Sequence, residues 1–157
     1  MTQPVMKYVV GYCFDPYFEH VVLIEKARPE WQAGKLNGVG GKIEPKETPR
    51  CAMVREFQEE AGVYIPAWQH IRTEKFNWWR VGHSGGLERH PTHVYHFATV
   101  ATRFQWSEIT TMTDEQIVKV ALPFGLRTRQ RVIYNLPYLV PMAEILLQQP
   151  RENTPAP

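Results

Sequence analysis

Cysteine is scarce: Cys13 and Cys51 are the only two in 157 residues. Two thiols cannot build a disulfide framework, and their separation rules out a Cys-x-x-Cys metal clip. Both are expected to be buried thiols in a reducing compartment. An excess of one charge is also missing. Eighteen basic and sixteen acidic side chains leave a formal +2, too little to coat a nucleic-acid backbone. A pI near 8.6 leaves room for a locally basic phosphate site and no more. No run of 18 apolar residues occurs, and the first residues lack the basic-then-apolar pattern of a leader peptide. The expected location is therefore the cytoplasm, with no membrane partner and no strong nucleic-acid signal. Repeats and low-complexity tracts are absent too. What is present is an ordinary globular composition, 43% hydrophobic and 22% charged, long enough for one domain that buries about two thirds of its unfolded surface. That domain is expected over residues 1–149, with 150–157 as a disordered tail.

Lys7–Phe14 and His20–Glu25 are β-branched and aromatic runs split by the turn-type Asp15-Pro16-Tyr17-Phe18, which predicts a hairpin of two strands. Ala27–Ile43, rich in Gly, Pro and Asn, reads as loop with at most one short strand. Thr48-Pro49 opens a helix, Thr as N-cap and Pro at the first helical position, and Gly62 closes it. Its apolar side is Met53, Val54, Phe57 and Ala61. Val63–Ile65, Gln69–Asn77 and Val94–Ala101 read as strands, with a loop over Val81–Pro91. Trp106–Glu115 reads as loop and Asp114–Val120 as one short helical turn. Val132–Gln149 reads as a final helix interrupted near Pro137 and Pro141. The order of elements predicts an α/β fold, a mixed β-sheet between helices in an α/β/α sandwich.

One stretch carries chemistry. Gly41 to Val63 reads G-x5-E-x7-R-E-U-x-E-E-x-G-U, with U a bulky apolar residue. Glu56, Glu59 and Glu60 stand at i, i+3 and i+4, so a helix puts them on one face with Cβ atoms roughly 5–6 Å apart. Three acids that close repel one another unless a cation neutralises them, and all-oxygen ligation suits Mg²⁺ or Mn²⁺. A solvated acidic helix face is the ordinary alternative for the three glutamates alone. Glu47, Arg55 and the two glycines at their fixed offsets argue against it.

These 23 residues resemble the signature box of the Nudix hydrolases, MutT-like nucleotide pyrophosphohydrolases that cleave nucleoside diphosphates linked to another group and use divalent cations. Phe57 stands where the family more often carries Ile, Leu or Val. The resemblance implies the Nudix-type sandwich and a catalytic set of Glu47, Arg55, Glu56, Glu59 and Glu60. Glu59 and Glu60 are implied metal ligands, and Glu56 a ligand or the general base. Arg55 is implied to orient a box glutamate through a charge-assisted hydrogen bond, and Glu47 to support the loop. The carbonyl of Gly41 or of Gly40 is an implied further ligand, where glycine lets the backbone approach closely.

Outside the box the signals are weaker. Lys26 and Arg28, with Lys35, flank the glycine loop and are candidate phosphate contacts, unless they are simply solvated. His83, His90, His93 and His96 look like a metal cluster, but positions 93 and 96 have opposite parity on a strand and point to opposite faces. Trp78, Trp79 and Trp106 are either core or stacking platforms for a base. Glu108, Asp114 and Glu115 are candidates for a later-loop acid that completes the site. Leu36-Asn37-Gly38-Val39-Gly40-Gly41-Lys42 resembles a segment of the family's oxidised-purine nucleoside triphosphatases in which the Asn contacts the purine. This makes Asn37 a candidate base contact. The Asp pair that those enzymes carry before their terminal helix is replaced here by Asn135-Leu136. The expected reaction is hydrolysis of a (deoxy)nucleoside triphosphate to the monophosphate and pyrophosphate. The alternative is an ADP-ribose, nucleotide-sugar or dinucleoside polyphosphate substrate, and behind these stand RNA 5′-end processing and a non-catalytic binding module. A homodimer is neither specified nor excluded.

Overall fold

The computed structural model describes residues 3–123, 132–133 and 135–150. Its strands are β1 (Met6–Phe14), β2 (His20–Glu25), β3 (Leu36–Asn37), β4 (Val39–Lys42), β5 (Gln69–Val81), β6 (Leu87–Val100) and β7 (Gln116–Ala121). The helices are α1 (Pro49–Ala61), α2 (Arg103–Glu108) and α3 (Leu136–Gln148). Of the expected tail at 150–157, residues 151–157 lie outside the described residues.

The strands form one mixed seven-stranded sheet in the order β3-β2-β1-β6-β5, with β4 on β1 and β7 on β2. β1 runs parallel to β6 along its whole length. Its other edge is shared, β4 pairing Tyr8 to Gly11 and β2 pairing Cys13 and Phe14. Alternation along β1 and β2 splits the core into two layers, as a period of two requires. Val9, Cys13, Val22 and Ile24 pack with Met53, Phe57 and Ala61 of α1. Tyr12, Phe14, Val21 and Leu23 pack with Leu136, Leu139, Val140 and Ala143 of α3. This is an α/β/α sandwich around a mixed sheet, as the element order predicts. No described helix is long and apolar enough to cross a membrane.

α1 begins and ends where its sequence dictates. The Thr48 hydroxyl accepts the Cys51 N–H at 3.2 Å, and Pro49 takes the first helical turn. Gly62 adopts φ 75° and donates its N–H to the Gln58 carbonyl, the left-handed stop that glycine makes without strain. The next carbonyls, of Glu60 and Ala61, accept the N–H groups of Met112 and Thr110. The segment before β7 is thereby tied to the end of the box helix.

Several local expectations are corrected. Val63 and Ile65 are buried and Tyr64 is exposed, but the segment joins no ladder. The loop expected over Val81–Pro91 is mostly strand, because β5 and β6 stay paired from Gln69↔Ala98 to Val81↔Leu87 and turn only through Gly82–Gly86. Trp106–Glu115 starts inside α2, whose N-terminus carries a reciprocal capping box between Thr102 and Gln105. The helical turn expected over Asp114–Val120 is strand β7, paired antiparallel to β2 from His20↔Ala121 to Glu25↔Gln116. The last helix starts at Leu136 rather than Val132 and passes through Pro141 unbroken. Cys13 is buried as expected, but Cys51 is exposed on α1.

Candidate active site

Arg55 organises the box. Its Nε and Nη2 donate to the two carboxylate oxygens of Glu47 at 2.8 and 3.0 Å, its Nη1 donates to Glu56 at 2.8 Å and Glu59 at 3.2 Å, and Nη2 reaches the Lys42 carbonyl at 3.1 Å. Bidentate pairing of this kind fixes geometry as well as charge. The Arg55 guanidinium holds the Glu47 carboxyl below the usual carboxylate range. Glu47 also accepts the Glu44 N–H at 3.0 Å, closing the loop between β4 and α1. Arg55 thus contacts three box glutamates, and Glu47 joins Arg55 to the loop backbone.

The three box acids differ in exposure. The Glu56 side chain is 13% exposed and that of Glu59 is 56% exposed. Burial raises the Glu56 pKa against the pull of Arg55. Burial is also the main reason that Glu60 is pushed up to about 7; Glu56 and Glu115 add to the shift, while Lys26 and the Gly40 backbone oppose it. Glu60 Oε2 is buried with no hydrogen-bond partner among the described residues. A buried carboxylate oxygen left unpaired is costly, and a hard divalent cation is the partner that such an oxygen suits. An all-oxygen donor set of Glu56, Glu59, Glu60 and the Gly40–Gly41 backbone fits Mg²⁺ or Mn²⁺. The three side chains do not already converge on one point. Among the described residues, only Asp15, Glu19 and His20 bring three ligand atoms within 4.8 Å of one another. That group caps the β1–β2 turn: Asp15 accepts the backbone N–H groups of Tyr17, Glu19 and His20.

Lys26 and Glu115 sit beside Glu60. Lys26 Nζ lies 3.1 Å from Glu115 Oε1, and Glu115 Oε2 accepts the Ala27 N–H at 2.6 Å. Of the three later-loop acids, Glu115 is therefore the one brought to the box. Asp114 meets Arg28 at 3.8 Å on the open surface, where the Arg28 side chain is 79% exposed.

A cleft of about 660 Å³ opens from Gly40 and Gly41 across β1 and β6 to β5. Lys26 and Asn37 line it, as do the aromatic rings of Tyr8, Trp31, Phe76 and Trp78. The Trp31 and Trp78 rings lie 5.4 Å apart between centroids. Of the tryptophans weighed as platforms, Trp78 reaches the cleft. Trp106 instead packs against the α1-side core and under the Lys119 ammonium. Arg28 and Lys35 do not line the cleft. The histidines do not converge: His96 is buried in the cleft wall, whereas His93 packs on Tyr95 and His90 lies 3.7 Å from Glu88. Sequence reading missed Trp31 and Glu74. The signal for Glu74 was its parity with Phe76 and Trp78 on one strand.

A capped helix that turns glutamates toward a glycine loop, at one end of an aromatic cleft in an α/β/α sandwich, defines a Nudix-type domain. The family profile for the NUDIX domain matches residues 8–125, and the chain belongs to that family. It is similar to the CTP pyrophosphohydrolase of Escherichia coli, 33% identical over 55 residues, which is 35% of this chain and 41% of the relative. It is also similar to the 8-oxo-dGTP diphosphatase of Escherichia coli, 46% identical over 43 residues, which is 27% of this chain and 33% of the relative. The matched stretches thus span less than half the length of these curated relatives. Among solved structures, the NUDIX domain of Shewanella oneidensis NrtR complexed with ADP-ribose has a TM-score of 0.64 at 14% identity, covering 93% of this chain and 90% of that one. That likeness is one of fold.

Proposed function

We propose that this chain is a divalent-metal-dependent pyrophosphohydrolase that converts a (deoxy)nucleoside triphosphate to its monophosphate and pyrophosphate. The observation that carries the reading is Glu60, whose carboxylate oxygen is buried and unpartnered beside Gly40, which lines one end of an aromatic cleft. Glu56, Glu59 and Glu60, with the Gly40 or Gly41 carbonyl, would hold Mg²⁺ or Mn²⁺. When bound, the ion neutralises phosphate charge and lowers the pKa of a coordinated water. The chain's own residues supply positioning. Arg55 and Glu47 fix the carboxylates, and Lys26 presents a cation beside them to the phosphates. Trp31 and Trp78 offer stacking faces to the base. Asn37, whose Oδ1 accepts the Gly38 N–H at 2.8 Å, turns its amide donors to the cleft. Glu56 is the candidate base, and Glu115 a further acid of the site. The cytoplasmic setting belongs to the same proposal.

The test is a panel of (deoxy)nucleoside triphosphates, ADP-ribose, nucleotide sugars and dinucleoside polyphosphates, assayed with Mg²⁺ and with Mn²⁺, with products identified. Pyrophosphate plus monophosphate from a triphosphate supports the reading. Exclusive turnover of ADP-ribose or a dinucleoside polyphosphate replaces it. Glu60→Gln keeps shape and helix propensity, and should lower turnover roughly 10²-fold or more, the scale of lost transition-state electrostatics, with an unchanged melt. Near wild-type turnover at saturating Mg²⁺ would remove Glu60 from the metal face.

A further inference from the structure

At the far end of the cleft from the box stands a second carboxylate, which has no lysine or arginine partner among the described residues. Glu74, on β5, has a side chain only 15% exposed. Its Oε1 accepts the Asn135 Nδ2–H at 3.1 Å and lies 3.1 Å from His96 Nε2. The other His96 ring nitrogen, Nδ1, is 3.1 Å from the Tyr12 hydroxyl. Asn135 thus fixes Glu74 from behind by a hydrogen bond, with the His96 ring packed beside it. Among the described residues, no lysine or arginine nitrogen comes within 4 Å of its carboxylate. Phe76 and Trp78, two and four residues further along β5, line the same cleft.

A fixed carboxylate in an apolar cleft, with no counter-charge among the described residues, is expensive. It also repels polyphosphate, so it cannot serve the phosphate end. β5 lies three strands from β4, by way of β1 and β6, which is roughly 14 Å at ordinary strand spacing. A nucleoside with its α-phosphate at the glycine loop covers most of that distance, and the Glu74 side chain reaches across the remainder to its base. A carboxylate is acceptor-only and can take two donors side by side. Adjacent ring N–H and amino donors on one edge are the mark of guanine. Adenine and cytosine offer an amino group next to an acceptor, and thymine and uracil flank their single N–H with carbonyls.

We infer that Glu74 is a specificity-determining residue that accepts the ring N–H and exocyclic amino donors of a guanine-type base, held in place by Asn135. The inference rests on the proposed reading of the cleft as a nucleotide site. The unpartnered acceptor Asn135 Oδ1, buried at the same wall, adds to the donor-seeking character of this end. Asn37 complements it, since its amide donors suit base carbonyl or ring-nitrogen acceptors.

The test compares kcat/KM for dGTP, for dITP (which lacks the amino group) and for dTTP, in wild type and Glu74→Gln with Mg²⁺. Wild type should favour dGTP over dITP by roughly tenfold or more, the scale of a lost buried hydrogen bond. Glu74→Gln should erase that preference while leaving dITP and dTTP within about threefold. An equal fall for all three substrates, or no dGTP preference in wild type, overturns the inference. Calorimetric binding of dGMP and dIMP to both proteins asks the same question without turnover. Failure of the hydrolase reading is thereby separated from failure of this one: a dGMP preference lost in Glu74→Gln supports the inference even in an inactive protein, and its absence from wild type overturns it. A melt of each variant distinguishes lost recognition from lost folding.

Discussion

A methyl group on Gly41 would lie 2.5 Å from the carboxyl carbon of Glu56. No side chain other than hydrogen fits between β4 and that carboxylate, which Arg55 already holds from the other side at 2.8 Å. The glycine therefore serves the site by what it leaves out, and not only by the freedom of its backbone.

Gly41→Ala should displace Glu56 and lower metal-dependent kcat/KM roughly 10- to 100-fold, as loss of ligand orientation does, while the carbonyl at position 41 is retained. Turnover at saturating Mg²⁺ checks this, and wild-type activity would show that Glu56 can relocate without cost.

Phe57→Ala addresses the opposite face of the same helix. Phe57 is fully buried and meets the Trp68 ring edge-on at 5.2 Å. The truncation should cost about 3–5 kcal/mol of stability, read from urea or thermal unfolding, with little change in KM for the protein that remains folded. A melting temperature within a degree or two of wild type would contradict the packing.

His96 should make stability depend on mild acid. Burial, aided by Arg72 and His70, lowers its pKa well below 6.5 despite Glu74. The unfolded chain accepts a proton near 6.5, while the folded chain resists it until a lower pH. Stability from this group is therefore full above about pH 6.5 and is lost as pH falls below that value, with a slope of up to about 1.4 kcal/mol per pH unit. His96→Gln, which cannot titrate there, should flatten that part of the curve. Urea midpoints at pH 7.5, 6 and 5 for both proteins make the comparison; parallel curves would exclude His96 as the source.

The box, its helix and both caps were legible because their signals are local: Thr48, Pro49 and Gly62 act within one turn of where they stand. The layered sandwich was legible from the order of elements, while the near-continuous apolar runs of β1 and β2 did not say which side chain enters which layer. The long β5–β6 ladder was not, since Val81 and Leu87 are both exposed and backbone pairing rather than burial extends it. β7 was missed because its partner, β2, lies about ninety residues away in sequence. The cleft was the least legible part. Trp31, Glu74 and Asn135 come from three distant segments, and the one local signal for Glu74, its parity with Phe76 and Trp78, does not say which side of the strand is covered.

β5 ends the order β3-β2-β1-β6-β5, so it is bonded to a neighbour on one side only. Changes on such a strand disturb neither the layer under α1 nor the carboxylates three strands away. In evolutionary terms, the scaffold separates the part that cuts from the part that chooses. If positions 74, 76 and 78 choose the base as proposed, a lineage can drift there toward a new nucleotide while the box is inherited intact. Diversity of substrate among chains of this shape then requires only a few changes along one edge.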